Sequence, residues 1–395
     1  MQLKQLLIFI VILIPVYTMA QADSIENSLQ KERKYISLQS EYQRGHVFAT
    51  NDFLRGLNTE YDRIDDFQTF SIKFSTQTTG KKLWEQLYNY PAWGLAIYTA
   101  DFQAPEEIGY PIAIYGFFNG PFRRWEKVSF NYELGFGATF NWRSFNPITN
   151  QYNIAIGAGQ SFIIDAGMNL QYNITKRIDL ITGFSLTHFS NGALKKPNFG
   201  INTFAPKIGI KYNFYDQPSF KEQEVPDFRR KNEWLLSGFG GTKNVIFDTV
   251  NIDILEKYEG VFFPVFGLSA GYNRQISYKS KIGFGMTISY DGSVNAQVAI
   301  EENELDPVDS PFIDKVQLSI YPSYELVINK LSITLQPAFY IYRKEFANQS
   351  PAFFQRIGFK YYLSDNLYMG VILRDYAFHV SDYIEWTIGY RFRKN

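Results

Sequence analysis

From Val128 to Trp142 every second residue is apolar or aromatic. Val128, Phe130, Tyr132, Leu134, Phe136, Ala138, Phe140 and Trp142 alternate with Ser129, Asn131, Glu133, Gly135, Gly137, Thr139 and Asn141. Residues i and i+2 of a strand point the same way, so this run is a strand with one greasy face and one polar face. The pattern recurs from Phe162 to Ile174, from Ile282 to Tyr290 and from Ile384 to Phe392. Many of these runs are longer than the usual strand of about five or six residues. Roughly ten tilted strand residues cross a bilayer.

A backbone in lipid must satisfy its hydrogen bonds internally, so such a sheet has to close. Apolar-out, polar-in alternation with aromatic strand ends predicts an all-β, antiparallel transmembrane β-barrel. The 36 Phe and 28 Tyr supply the aromatic girdles. A soluble β-sandwich is the rival, but its strands are shorter. About sixteen candidate strands can be counted. Half precede Tyr215 and half follow Asn232, with a polar stretch from Asp216 to Lys231 between them. Two layouts fit: one barrel of about sixteen strands with a long inner turn at 216–231, or two tandem eight-stranded barrels. The single barrel is the expected layout. The last strand, with Phe392 near its end, resembles the recognition signal of bacterial outer-membrane barrels. That implies the barrel-assembly machinery as a partner.

The first 22 residues read as a signal peptide. Lys4 is a basic lead and Leu6–Tyr17 an apolar core too short to span a bilayer comfortably. Thr18-Met19-Ala20 and Ala20-Gln21-Ala22 offer cleavage sites. Residues 23–40 read as a periplasmic lead-in, 41–215 as a first barrel half and 232–395 as a second half of unassigned role. Glu301-Glu302-Asn303-Glu304 reads as a solvated outer loop. No apolar run of helical spanning length follows the leader, which excludes a helix-bundle membrane protein. Acidic and basic residues balance at 39 each, so no net field recruits nucleic acid. The absence of cysteine removes thiolate nucleophiles, disulfides and a lipoprotein anchor.

The strand from Arg177 to Ser190 carries the chemistry. Ile178, Leu180, Thr182, Phe184, Leu186, His188 and Ser190 share its greasier face, so an imidazole and a hydroxyl extend a lipid-facing row. The next strand, from Asn202, has its apolar row in register with Asn202, and a hairpin through 191–200 brings positions 190 and 202 nearly opposite. Counting from a periplasmic N-terminus, this is the seventh strand and runs outward, to the outer leaflet. Ser190 is then a candidate nucleophile for an ester carbonyl, and His188 the base that takes and returns its proton. Asn202 would hold the imidazole in the right tautomer. Asn191 and the backbone amides of Gly192 and Ala193 are candidate oxyanion donors. His46 and His379 have no serine or acidic partner at strand spacing and read as rim or turn residues. Glu133 and Asp165 point to the lumen. Carboxylates do not converge with a histidine at ligand spacing, so no metal and no cofactor is expected.

The run His188-Phe189-Ser190-Asn191-Gly192-Ala193-Leu194-Lys195-Lys196-Pro197-Asn198-Phe199-Gly200-Ile201-Asn202 resembles the signature of the lipid A 3-O-deacylase (PagL-type) or acyloxyacyl hydrolase family of outer-membrane β-barrels. The resemblance covers residues 40–215. It implies that His188 and Ser190 are base and nucleophile of a triad on the lipid-facing wall. The family's third member is a glutamate, and Asn202 stands at that position here. The expectation is an outer-membrane serine esterase of a Gram-negative bacterium that removes an ester-linked acyl chain from the lipid A of lipopolysaccharide. An outer-membrane phospholipase and a non-enzymatic porin or transport barrel are the alternatives.

Overall fold

The computed structural model describes residues 34–245, 251–258, 260–346, 351–376 and 380–393. The expected signal peptide and His379 lie outside these residues. The strands are β1 (Tyr35–Phe48), β2 (Asp66–Gln77), β3 (Ala92–Asp101), β4 (Gly109–Arg124), β5 (Val128–Trp142), β6 (Ser161–Asn173), β7 (Ile178–Ser190) and β8 (Ile201–Asn213). Then follow β9 (Lys231–Lys243), β10 (Phe263–Gln275), β11 (Ser280–Asp291), β12 (Val316–Ile328), β13 (Leu331–Tyr342), β14 (Phe353–Tyr362), β15 (Leu367–Tyr376) and β16 (Val380–Arg393). Strand β1 begins inside the segment expected to be a lead-in, because Tyr35 to Ser40 already pair in the sheet or extend it.

The sheet closes twice, as an antiparallel barrel of β1–β8 and a second of β9–β16. This corrects the expected single barrel in favour of the tandem layout. The deciding pairings are long-range. Strand β8 returns to β1, with Leu38 opposite Tyr212 and Phe48 opposite Asn202. Strand β16 returns to β9, with Trp386 opposite Gly240 and Arg393 opposite Glu233. Each closure leaves no edge to extend into the other half.

Alternation sorts the side chains. On β2, Phe70, Ile72 and Phe74 are exposed on the outside, whereas Thr69, Ser71, Lys73 and Ser75 are buried inside. An eight-stranded barrel is just wide enough for side chains to fill it. Here ions fill its middle. The Lys73 ammonium lies 2.6 Å from Glu133 and 3.2 Å from Glu41, and Lys207 lies 3.0 Å from Glu133. Towards the end reached by β7, aromatic rings take over: Tyr98, Phe102, Trp142 and Phe189 are buried together. The second barrel uses the same device. Lys281 pairs with Glu233 at 2.7 Å, Lys360 reaches Glu325, and Arg356 grips Glu385 at 2.6 Å.

The barrels lie side by side within one compact unit, Ile36–Asn395. Phe136 of β5 meets Phe359 of β14 with ring centroids 5.0 Å apart. At the other end, the Tyr88 hydroxyl donates to the Val327 carbonyl over 2.8 Å, and the Lys279 ammonium sits over the Tyr88 ring. At one end links 125–127 and 174–177 are short and 78–91 is longer; at the other, 49–65, 143–160 and 191–200 are all long. Short periplasmic turns and longer outer loops are the rule in such barrels, which puts the end of β7 at the outer rim.

Candidate active site

Phe189 sets the geometry of the site. Its ring is buried in the lumen, 5.3 Å from Trp142, 6.1 Å from Phe102 and 6.2 Å from Tyr98. With Phe189 turned inward, strand parity turns His188 and Ser190 outward. They continue the row of Phe184 and Leu186, which are 39% and 49% exposed. Ser190 itself is only 8% exposed, with Gly192 and Asn198 of loop 191–200 bonded to its hydroxyl.

The register places His188, not Ser190, directly across from Asn202. The expected 190–202 opposition is off by one pair on the same face. The His188 Nδ1 and Asn202 Oδ1 atoms are 2.7 Å apart. An amide oxygen can only accept, so Nδ1 carries the proton and Nε2 keeps its lone pair. Gly200 allows this ring position. It has φ +75°, and a Cβ there would come within 2.8 Å of His188 Cε1.

Two donors converge on the Ser190 hydroxyl oxygen. The side-chain amide of Asn198 donates over 2.8 Å, and the backbone N–H of Gly192 over 3.2 Å. Among the described residues no hydrogen bond joins Ser190 to His188. Catalytic hydrogen bonds in unliganded enzymes often tighten only when substrate binds.

The expected oxyanion set divides. Gly192 points its N–H at the hydroxyl oxygen. The Ala193 N–H donates to no partner among the described residues. Asn191 is engaged within the loop: its N–H donates to Asn198 Oδ1 over 3.0 Å and its Nδ2 to the Lys195 carbonyl over 2.7 Å. Its side chain is buried and spent on folding the loop. Asn198, which the sequence did not single out, is the side chain that reaches the hydroxyl. The signal in the sequence was the Pro197-Asn198 step of the motif, which carried no assigned role.

The turn needs support, because Gly192 and Ala193 both adopt left-handed backbone, φ +62° and +63°. Alanine pays about 1 kcal/mol or more there. Loop 143–160 supplies part of that support: Phe199 N–H donates to Ile154 and Gly200 N–H to Ala155. Burial pushes the Lys196 ammonium below the usual lysine range, with the Asp382 carboxylate of the second barrel opposing that shift. Glu133 belongs to the lumenal ion cluster, and Asp165 accepts from Thr187 at 2.8 Å inside the barrel. Neither shares the outer face with His188. His46 packs edge-on against Phe48.

A closed antiparallel barrel with an apolar exterior and an ionic interior defines an outer-membrane β-barrel, and this one carries a serine and a histidine on its wall. Residues 68–215 match the family model described as lipid A 3-O-deacylase (PagL), and residues 232–394 match the one described as acyloxyacyl hydrolase, C-terminal domain. The chain belongs to this family, and its place is the outer membrane of a Gram-negative bacterium. Among solved structures, the outer membrane enzyme PagL is similar at 13% identity and a TM-score of 0.31, over 43% of this chain and 97% of that one. A mutant of the Rh. blastica porin is similar at 8% identity and a TM-score of 0.18, over 91% of this chain and 100% of that one. CdiB from Escherichia coli gives 8% identity and a TM-score of 0.23, over 93% and 64%. The search of curated proteins finds no match.

Proposed function

We propose that the chain is an esterase that cuts an ester-linked acyl chain from lipid A, with Ser190 as nucleophile and His188 as base. The observation that carries this reading is the pairing of His188 Nδ1 with Asn202 at 2.7 Å beside a hydroxyl that receives two N–H donors, all on the membrane face. The Ser190 oxygen attacks the ester carbonyl while Nε2 of His188 takes its proton. The carbonyl oxygen becomes an anion beside Asn198 Nδ2 and the Gly192 N–H. Collapse breaks the bond to the sugar hydroxyl, which leaves with the proton from Nε2. Water, deprotonated by the same nitrogen, then releases the fatty acid and restores Ser190. Asn202 orients the ring but adds no charge to the imidazolium, so its contribution is the tautomer alone. The aromatic end of β16 is the segment that we assign to capture by the barrel-assembly machinery.

The test is mass spectrometry of lipid A from cells with and without the expressed chain. Loss of one acyl chain with release of the matching fatty acid supports the proposal. Unchanged lipid A with lysophospholipid release would redirect it to a phospholipase.

Asn198→Ala should keep the barrel folded and lower kcat by about a hundredfold to a thousandfold, the usual cost of losing one oxyanion donor. Kinetics on purified protein with lipid A in detergent check this, and a loss of less than about threefold would remove Asn198 from the oxyanion site.

A further inference from the structure

The second barrel touches the catalytic turn. A methyl group added to Gly192 would lie 2.9 Å from Ile384 Cδ1 and 3.6 Å from Leu373 Cδ1. Leu373 on β15 and Ile384 on β16 are register partners, so they form one apolar pair on the outer wall of the second barrel. Ile384 is 6% exposed, whereas Ile388, on the same strand and face, is 60% exposed. Such a contrast on one face requires a cover over Ile384, and the Gly192 turn is in contact with it.

The turn has reason to need that contact. Two consecutive left-handed residues follow Asn191, and one of them is alanine. Conformations of this kind persist only where the surroundings over-determine them. The hydrogen bonds of Asn191 fix one side of the turn, towards Lys195 and Asn198. They do not fix the outward side of Gly192, whose N–H donates to the Ser190 oxygen. Ile384 and Leu373 occupy that side.

We infer that the second barrel is a positioning element for catalysis, with Ile384 and Leu373 holding the Gly192 N–H on the reacting centre. The inference rests on Ser190 being the nucleophile. It gives the second barrel a part in the reaction without any residue of it touching substrate. A second contact follows the same path. Phe162, the register partner of Ser190, stacks on Phe136, which meets Phe359 of β14.

The experiment compares Ile384→Ala, Ile384→Val and Ile388→Ala in the full chain, refolded in detergent. Folding is read by the mobility of the unheated protein in denaturing gels. Readouts are kcat and KM on lipid A and the rate at which a fluorophosphonate labels Ser190. Ile384→Ala should lower both kcat and the labelling rate about tenfold, a small share of a full oxyanion donor, with KM unchanged. Ile384→Val should recover most of the loss, and Ile388→Ala should match wild type. Wild-type kcat and labelling in folded Ile384→Ala overturns the inference, as does an equal loss in Ile388→Ala. Should Ile384→Ala not fold, Leu373→Ala and Ile384→Val are read by the same criteria. A wild-type chain that is neither active nor labelled, alongside Ser190→Ala, would instead undo the esterase reading beneath it.

Discussion

Replacing Ser190 with alanine will leave lipid A fully acylated in cells that make the variant at normal levels. In the proposed mechanism the Ser190 hydroxyl is the group that forms the acyl-enzyme. Its removal leaves His188 with water alone to activate. In serine hydrolases, losing the nucleophile costs about a million-fold in kcat, and the residual rate comes from binding and the oxyanion donors. The substitution removes one oxygen from an outward-facing site. The two donors to it, Asn198 Nδ2 and Gly192 N–H, then lose a buried acceptor, at a cost of about 1–3 kcal/mol. Stability should therefore change far less than activity. A folded Ser190→Ala protein that still strips an acyl chain would end the proposed mechanism, though not the barrel.

The second substitution acts on stability rather than turnover. Lys73 sits at the centre of the first lumen, fully buried between Glu41 and Glu133. Lys73→Met would leave two buried carboxylates to share Lys207, which is 3.0 Å from Glu133 and 3.9 Å from Glu41. Breaking a buried pair in this way costs about 3–5 kcal/mol, because the orphaned charge stays in a low-dielectric interior. The amides of Gln39 and Gln43 still donate to Glu41, each over 2.9 Å, and soften the loss. Urea unfolding of the detergent-refolded protein should show a lower midpoint. Adding Glu41→Leu to Lys73→Met restores one cation per carboxylate and should recover much of the difference. An unchanged midpoint in Lys73→Met would mean that the cluster contributes nothing net.

Period-two alternation made the strands legible. Val128–Trp142 could be bounded to the residue, and the parity of β7 placed His188 and Ser190 on the outer wall before any pairing was known. Alternation is a local signal, and closure is not. Whether β8 joins β1 or β9 depends on a match between strands some 170 positions apart, Leu38 with Tyr212 for example. Both halves carry alternating faces, so both layouts satisfied the pattern. Loop 191–200 was harder still. Its motif was readable, but side-chain directions there follow from left-handed backbone at Gly192 and Ala193, which no periodicity encodes. Asn191 therefore ties the loop to Lys195, and Asn198 reaches the hydroxyl.

The charged interiors have a further bearing on traffic. Ion pairs of Lys73, Glu133 and Lys207 cross one bore and those of Lys281, Glu233 and Glu325 the other, while Ser190 faces outward from the first. The water that completes the proposed cycle has to descend from the cell surface beside loop 191–200. The freed fatty acid has to depart sideways, into the leaflet its parent lipid occupied.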